Sequence, residues 1–237
     1  VEHLLICRTK VKVSRKQPLN RKSFMRSHFG GIPYFEMNET WPVHRDTGEL
    51  MDFVCQFVDT GEFPFPEGVK IIQLYCSFDQ LHRDEMTNFW LIKTYQDAHI
   101  DKYSPVLRTK AIKKSTYNPV YLISDVSLPD YETAIKINPM LHHMCKRVNR
   151  KKPIKAYNDI VNYLHDDAGY GSSIGGYPDW LYHESDFDMN FYSKGYRLLA
   201  QIDNECEAGI CWGDVGTAYL FYKPKEKEQF EFVLQAF

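Results

Sequence analysis

The sequence predicts an α+β fold made mainly of antiparallel strands with a few short helices, and three observations support this. Aromatic residues make up 15% of the 237 residues, with 16 Tyr and 15 Phe, a composition that favours sheets over helical bundles. Short apolar runs bounded by Gly- and Pro-rich turns recur along the chain, as is typical of strands. Helical periodicity is confined to residues 139–165.

Five strands are predicted before the helical region. The first lies within residues 1–14 and is followed by a basic loop. The other four are turn-bounded apolar runs, which read GELMDFVCQFVD, GVKIIQLYCSFD, NFWLIKTY and NPVYLISDVSL.

Two helices are predicted next, because apolar residues recur at the spacing of one helical face. In the first helix this face consists of Leu141, Met144, Cys145 and Val148. In the second it consists of Ile154, Tyr157, Val161 and Leu164. Three further strands, YRLLAQID, TAYLFYK and FEFVLQAF, complete the chain.

The sequence also contains a repeated motif. The segments SHFGGIPYF (27–35) and SSIGGYPDWL (172–181) share a Gly-Gly-x-Pro core. A glutamine follows at the same distance in both copies, so Gly30 and Gln56 lie 145 residues before Gly175 and Gln201. Self-similarity at a fixed offset indicates a repeated structural unit. We therefore expect a single domain over 1–237 with two halves related by a pseudo-twofold axis, the repeat covering about 27–80 and 172–225.

Charge is unevenly distributed, although the formal net charge is only −2. Residues 102–155 contain 12 Lys and Arg against 3 Asp and Glu, whereas residues 156–215 contain 2 against 11. The two blocks are either solvated faces that offset each other or, for the acidic block, a surface that attracts a basic protein partner. Glu184, Asp186, Asp188 and Asp214 are the predicted partner-binding residues of that surface. The net charge gives no reason to expect nucleic acid as a partner.

The sequence carries no membrane signal. No apolar run approaches the ~20 residues needed to span a bilayer, and the alternating, charged opening VEHLLICRTKVKV is unlike a signal peptide. We therefore expect a cytoplasmic protein without a membrane partner. Of the six cysteines, Cys55 and Cys76 lie in apolar strand-like runs and are predicted to be reduced core residues.

Two patterns resemble catalytic or metal sites but lack what the chemistry needs. Residues 171–175, GSSIG, fit the nucleophile-elbow pattern with Ser173 as nucleophile, but Pro178 argues against the helix that must follow. His142 and Cys145 could supply two zinc ligands, whereas zinc usually requires at least three from the protein. We expect no catalytic residue, metal or cofactor here.

The segment Trp212-Gly213-Asp214-Val215-Gly216 is the best candidate for a special site. Asp214 could serve as a carboxylate base, but an Asp between glycines is typical of a turn. Trp212 and Trp41 are either core residues or contact residues in a groove between the halves, since Trp is enriched at binding hot spots.

Several of these motifs, in their order along the chain, resemble those of the YwqG-like family of bacterial proteins. They are SHFGGIPYF, the pair Trp41-Pro42, DFVCQF, IGGYP, LLAQID and WGDVGTAYLF, and the resemblance covers roughly residues 22–237. It implies a mainly β fold with two related halves. Many members carry a His shortly before the second Gly-Gly, where this chain has Ser172-Ser173.

The resemblance also bears on function. It implies an immunity protein of a bacterial toxin system and, more distantly, similarity to the eukaryotic chaperones that hold a ribosomal protein before assembly. We therefore expect a non-catalytic, protein-binding protein, most concretely a cytoplasmic immunity protein that masks a toxin. The alternatives are a chaperone-like holder of a basic client, using the groove between the halves, and a hydrolase that uses Asp214.

Overall fold

A computed structural model of the protein describes residues 4–18, 23–80, 88–104, 117–164, 171–182 and 191–237. These residues form a ten-stranded sheet, in which every neighbouring pair of strands is antiparallel, and three α-helices. The strands are β1 (Ile6–Val13), β2 (His28–Phe29), β3 (Asp52–Val58), β4 (Ile71–Cys76), β5 (Trp90–Tyr95), β6 (Asn118–Ser127), β7 (Ser173–Gly175), β8 (Arg197–Asp203), β9 (Thr217–Lys223) and β10 (Glu226–Gln235). The helices are α1 (Tyr131–Ile137), α2 (Met140–Val148) and α3 (Pro153–Leu164). The predicted fold class is confirmed.

The order of the strands places the first strand of the chain at the centre of the sheet. The order is β10-β9-β8-β7-β1-β6-β2-β3-β4-β5. The central pair runs in register from Ile6 opposite Ser127 to Val13 opposite Val120. On one side β6 pairs with β2 of the first Gly-Gly copy, and on the other β1 pairs with β7 of the second copy. Strands β1 and β6 therefore join the two copies into one sheet.

The sheet curls around a shared apolar core. Its inner face combines residues of both copies, such as Phe29 and Leu74 from the first and Ile174 and Leu220 from the second. The two edge strands approach each other, since the ring of Trp90 stacks on that of Phe232 with 5.6 Å between centroids. Burial of this face supplies the main stabilisation of the fold, because apolar surface removed from water contributes about 25 cal/mol per Å².

The outer face of each half is covered by the segment that follows its own glycine pair. The glycines have left-handed backbone conformations, with φ of 58° at Gly30 and 76° at Gly31, and of 68° at Gly175 and 82° at Gly176. Other residues adopt such angles only at a cost in energy. Gly and Pro in this spacing are typical of loops, but His28–Phe29 and Ser173–Gly175 form the short strands β2 and β7.

A buried glutamine attaches each covering segment to the sheet. In the first copy Gln56 Oε1 accepts a hydrogen bond of 2.9 Å from the backbone N–H of Tyr34. In the second copy Gln201 Oε1 accepts one of 2.8 Å from the N–H of Asp179. Both glutamines are buried. Each therefore satisfies a backbone donor that the fold hides from water.

The amide nitrogens of the same glutamines hold the chain before each glycine pair. Gln56 Nε2 donates to the carbonyl of Arg26 at 3.1 Å, and Gln201 Nε2 donates to that of Gly171 at 3.2 Å. Arg26 and Gly171 are again 145 residues apart. Each glutamine thus fastens both ends of its segment to one strand.

Two serines at equivalent positions of the two copies also make matched hydrogen bonds. Ser27 Oγ accepts from the N–H of Val58 at 2.9 Å, and Ser172 Oγ accepts from the N–H of Asp203 at 3.1 Å. The serines and their partners are also separated by 145 residues. The duplication of the unit stays a prediction, and these matched contacts support it.

The helices form a separate apolar cluster beside the sheet. It contains Leu4, Leu128, Tyr131, Ala134, Leu141, Cys145, Ala156 and Tyr157. Helix α1, which the sequence pattern does not predict, begins after Asp130, whose Oδ1 accepts a hydrogen bond of 3.0 Å from the N–H of Thr133. None of the helices among the described residues has the length and apolar character needed to cross a bilayer.

The predicted apolar face of α2 is only partly buried. Leu141 and Cys145 are in the core of the helical cluster, but Met144 is 51% exposed and Val148 is 79% exposed. The helix forms as predicted, but these two positions of its apolar face lie in solvent because the cluster covers only one side of the helix. The same holds for Ile154 of α3, which is 49% exposed. Cys55 and Cys76 are buried, as predicted.

We predict that Gln56→Leu lowers the free energy of unfolding by about 3 kcal/mol. The substitution keeps the size of the side chain but leaves the N–H of Tyr34 and the carbonyl of Arg26 without their partner, and each unsatisfied buried group costs about 1–3 kcal/mol. Denaturant unfolding followed by circular dichroism measures the change. Gln17→Leu, at an exposed position, is the control and should stay within about 0.5 kcal/mol. Equal stability of the two variants would contradict the role of Gln56.

Candidate functional site

The outer side of the central strand pair lies open between the two covered halves. Side chains alternate along a strand, so Val11 and Leu122 face the inner core. The residues between them face outward and form what we call the central face, which consists of Lys10, Lys12, Tyr121 and Ile123. Tyr121 is 60% exposed and Ile123 is 50% exposed. The central face therefore presents two exposed apolar side chains beside two lysines on a paired strand.

A buried arginine fixes one end of the central face. Arg8 is 6% exposed, and its guanidinium lies 3.0 Å from Asp125 Oδ2 in β6 and 2.6 Å from Asp179 Oδ2 in the second covering segment. Burial opposes ionisation of Asp125, but the N–H of Val126 and the guanidinium of Arg8 outweigh it and hold the pKa of Asp125 below its ordinary value. Arg8 therefore connects β1, β6 and the second segment.

The second glycine pair packs closely against the same end of the central face. A Cβ atom on Gly176 would lie 3.0 Å from Ser127 Cβ and 3.1 Å from Arg8 Cβ. Such distances are shorter than ordinary contacts. The glycine thus allows the segment to lie directly on Arg8.

A depression lies beside the other end of the central face. Its volume is about 340 Å³, and its lining includes Tyr121 and four other polar side chains, Gln17, Arg26, Ser27 and Thr60. A side chain of a bound partner could enter it next to Tyr121. The central face and the depression are together the best-defined candidate contact surface among the described residues.

Trp41 and Trp212, which the sequence assigns either to the core or to a groove between the halves, lie on opposite sides of the sheet. Trp212 is 3% exposed, and its ring lies 5.4 Å from that of Phe78 in the inner core. Trp41 belongs to the outer cover of the first half, where its Nε1 donates to the carbonyl of Met51 at 2.8 Å. The two rings therefore form no common groove.

Asp214 lies in a tight turn. It is exposed, its carbonyl accepts a hydrogen bond of 3.0 Å from the N–H of Phe237, and the neighbouring Gly213 and Val215 have φ of 129° and 48°. These angles are those of a sharp reversal of the chain, which is the structural interpretation that the sequence favoured.

Ser173 has none of the surroundings of a nucleophile elbow. It lies within β7, pairs with Lys10 and Gln201 in the neighbouring strands, and is buried. The elbow requires a sharp turn from a strand into a helix, whereas Ser173 is followed by the glycine pair and the covering segment. Among the described residues no group of three or more His, Cys, Asp and Glu is placed to hold a metal ion.

The acidic block is only partly on the surface. Asp179 binds Arg8, Asp203 accepts a hydrogen bond from Thr217, and Glu205 accepts one from Ser172. Burial raises the pKa of both Asp203 and Glu205. The exposed acids of the block that the structure describes are Asp159, Glu207 and Asp214. Glu184, Asp186 and Asp188 lie outside the described residues.

His28 is a buried polar residue that sequence reasoning missed. It is fully buried between the rings of Phe53 and Tyr117, with centroid distances of 5.5 Å and 5.0 Å. Its Nδ1 lies 2.8 Å from the carbonyl of Gly30, so Nδ1 carries the proton that is donated there. Nε2 has no hydrogen-bond partner among the described residues. Burial lowers the pKa of His28 to about 4. Its position two residues before the glycine pair is the only signal for it in the sequence.

Most of the chain matches a known protein family. Residues 27–235 match the model of a family described as a domain of unknown function, DUF1963. The match begins at the first Gly-Gly segment and ends at the last residue of β10. No curated protein matches the chain.

We predict that His28 makes stability depend on pH between about 6.5 and 4. Its folded-state pKa is lowered to about 4 from 6.5. As the pH falls through this window the unfolded state binds the proton first, so stability is complete above the window and is lost within it. The loss due to His28 should reach about 3 kcal/mol.

Urea unfolding of the wild-type protein and of His28→Gln at several pH values measures this loss. The difference in stability between the two proteins should change across the window. His143→Gln, on the exposed side of α2, is the control and should follow the wild-type curve. Parallel curves for wild type and His28→Gln would show that the buried imidazole does not titrate with unfolding.

Proposed function

The chain belongs to the DUF1963 family, and we propose that it is a non-catalytic protein-binding protein whose contact surface is the central face. The observation that carries the proposal is the exposure of Tyr121 and Ile123, at 60% and 50%, on a strand pair between two covered halves. Large apolar side chains on a rigid surface are typical of binding hot spots, since no ordering of the surface is needed when a partner docks.

Several buried polar side chains form hydrogen bonds within the protein, which agrees with a binding role. Gln56, Gln201 and Ser172 hold the covering segments, and Arg8 and Asp179 hold the end of the central face. A general base or nucleophile would need its polar atom directed at a substrate. These side chains are instead engaged in contacts within the protein, and Arg8 and Asp179 hold one end of the contact surface.

More specifically, we propose that the protein is a cytoplasmic immunity protein that masks a toxin. The resemblance to the YwqG-like family supports this assignment. The central face supports it physically, because masking requires a preformed surface and no chemistry. The depression beside Tyr121 offers a place for one anchoring side chain of the toxin.

The test is protection from a toxin encoded next to the gene for this chain. Co-expression of the wild-type protein should restore growth of a host that expresses the neighbouring toxin gene. The double variant Tyr121→Asp and Ile123→Asp should lose protection and bind the purified toxin about 30-fold more weakly or worse, since loss of a hot spot costs about 2 kcal/mol or more.

Met37→Asp is the matched control, because Met37 is a 76% exposed apolar residue outside the central face. Circular dichroism of each variant checks that the fold is retained. Full protection by the double variant would exclude the central face. Failure of every neighbouring gene product to bind the wild-type protein would exclude the immunity role.

The charge of the partner can be tested separately. If the partner carries a basic surface, changing Glu184, Asp186 and Asp188 to Lys should lower the association rate more than it raises the dissociation rate. Added salt should have a similar effect, because screening limits the field to about 8 Å at physiological ionic strength. Stopped-flow or surface-plasmon measurements with the purified toxin give both rates. Association rates that ignore salt and the reversals would show that the acidic block is only a solvated surface.

A further inference from the structure

Helix α2 presents an apolar stripe to solvent on the side away from the helical cluster. Met140, Met144 and Val148 are 68%, 51% and 79% exposed. Their spacing of four residues places them along one line of the helix. Leu141 and Cys145, on the adjoining side, are buried in the cluster. The apolar face of α2 is thus wider than the cluster can cover.

A dense group of cations borders this stripe. Residues 146–155 contain six Lys and Arg and no Asp or Glu. The six are Lys146, Arg147, Arg150, Lys151, Lys152 and Lys155. All are exposed, and none forms an ion pair with another residue of the described part of the chain. Their mutual repulsion has no neutralising partner within that part.

We propose that this region, which we call the α2 corner, is a second docking surface and that it binds an acidic protein segment that carries apolar side chains. The cations supply charge complementarity for carboxylates, and the stripe supplies a place for the apolar side chains of the same segment. Methionine suits such a surface because its side chain is flexible and adapts to different partners. The α2 corner is distinct from the central face, which lies on the sheet.

The residues of the α2 corner favour a protein over other polyanions. Helices that lie on membranes usually insert Trp, Phe or Leu, whereas this stripe consists of Met and Val. Surfaces that bind single-stranded nucleic acid use aromatic rings to stack the bases, and the stripe has none. An acidic, amphipathic protein segment matches both the charge of the rim and the apolar centre.

The first experiment uses two synthetic helical peptides of the same length. One has Leu along one face and Glu elsewhere, and the other has Lys in place of every Glu. The protein is labelled with ¹³C at its methionine methyl groups and observed by NMR. The Glu peptide should shift the signals of Met140 and Met144 in a saturable way, while Met37, which is 76% exposed elsewhere, should not move. The Lys peptide should shift none of them.

Variants then test the two components of the surface. Met144→Asp should weaken binding of the Glu peptide at least tenfold, and so should the double variant Arg147→Glu and Lys151→Glu, whose positions are exposed and outside the core. Met37→Asp should bind like the wild type. The Arg147→Glu and Lys151→Glu variant alters no core residue. It therefore still tests the proposal if Met144→Asp destabilises the helix.

Several results would overturn the proposal. These are equal binding of the Lys peptide, equal shifts at Met37, or no saturable shift at millimolar concentrations of the Glu peptide. Binding to phosphatidylserine vesicles or to single-stranded RNA that moves Met140 and Met144, without binding of the Glu peptide, would assign the α2 corner to a membrane or to nucleic acid. The outcome does not depend on Tyr121 or Ile123, so it is independent of the central face.

Discussion

The structure depends on the need to satisfy backbone polar groups in two segments that lie flat on the sheet. A segment that covers an apolar face loses contact with water on its inner side, and every N–H and C=O hidden there requires a partner. Regular pairing with the sheet cannot supply it, because the segments lie across the outer faces of strands that already pair with their neighbours. Gln56 and Gln201 supply it, since one primary amide offers both an acceptor and donors.

The position of the covering segments also determines which part of the outer surface stays exposed to solvent. Each half uses its own segment to cover its own hairpin, and the strands that join the halves are covered only at the Arg8 end, where the second segment lies on them. Their inner side faces the common core, and their outer side carries Tyr121 and Ile123. The internal ion pairs of Arg8 hold this joint together. The open surface is therefore a consequence of how two covered units are connected.

The distribution of charge follows a related division. Several acids of the acidic block take structural roles, because burial beside Arg8, Thr217 or Ser172 gives each carboxylate a donor. The cations of residues 146–155 find no such role among the described residues, since they lie on the exposed helical corner. Three acids of the acidic block thus have internal partners, whereas the cations of residues 146–155 face solvent.

Patterns in the amino-acid sequence were enough to predict several features of the fold. Alternation and turn residues predicted most strands, and helical periodicity predicted α2 and α3. The fixed offset between the two Gly-Gly-x-Pro copies pointed to the glutamines at equivalent strand positions, which are the residues that hold the covering segments. The strand and helix patterns are set by residues close together in the chain, so short windows of sequence carry them. The repeat is found by comparing two such windows 145 residues apart.

Which face each element buries and which strands pair became known only from the packed fold. It placed Trp212 inside and Trp41 outside, left Met144 and Val148 in solvent, and paired β1 with β7 of the distant second copy. The central face could not be predicted, because its residues are ordinary in composition and acquire their exposure from segments far away in sequence. Periodicity identifies an apolar face, but burial depends on how much surface the neighbouring elements can cover, and that is a property of the whole packed chain.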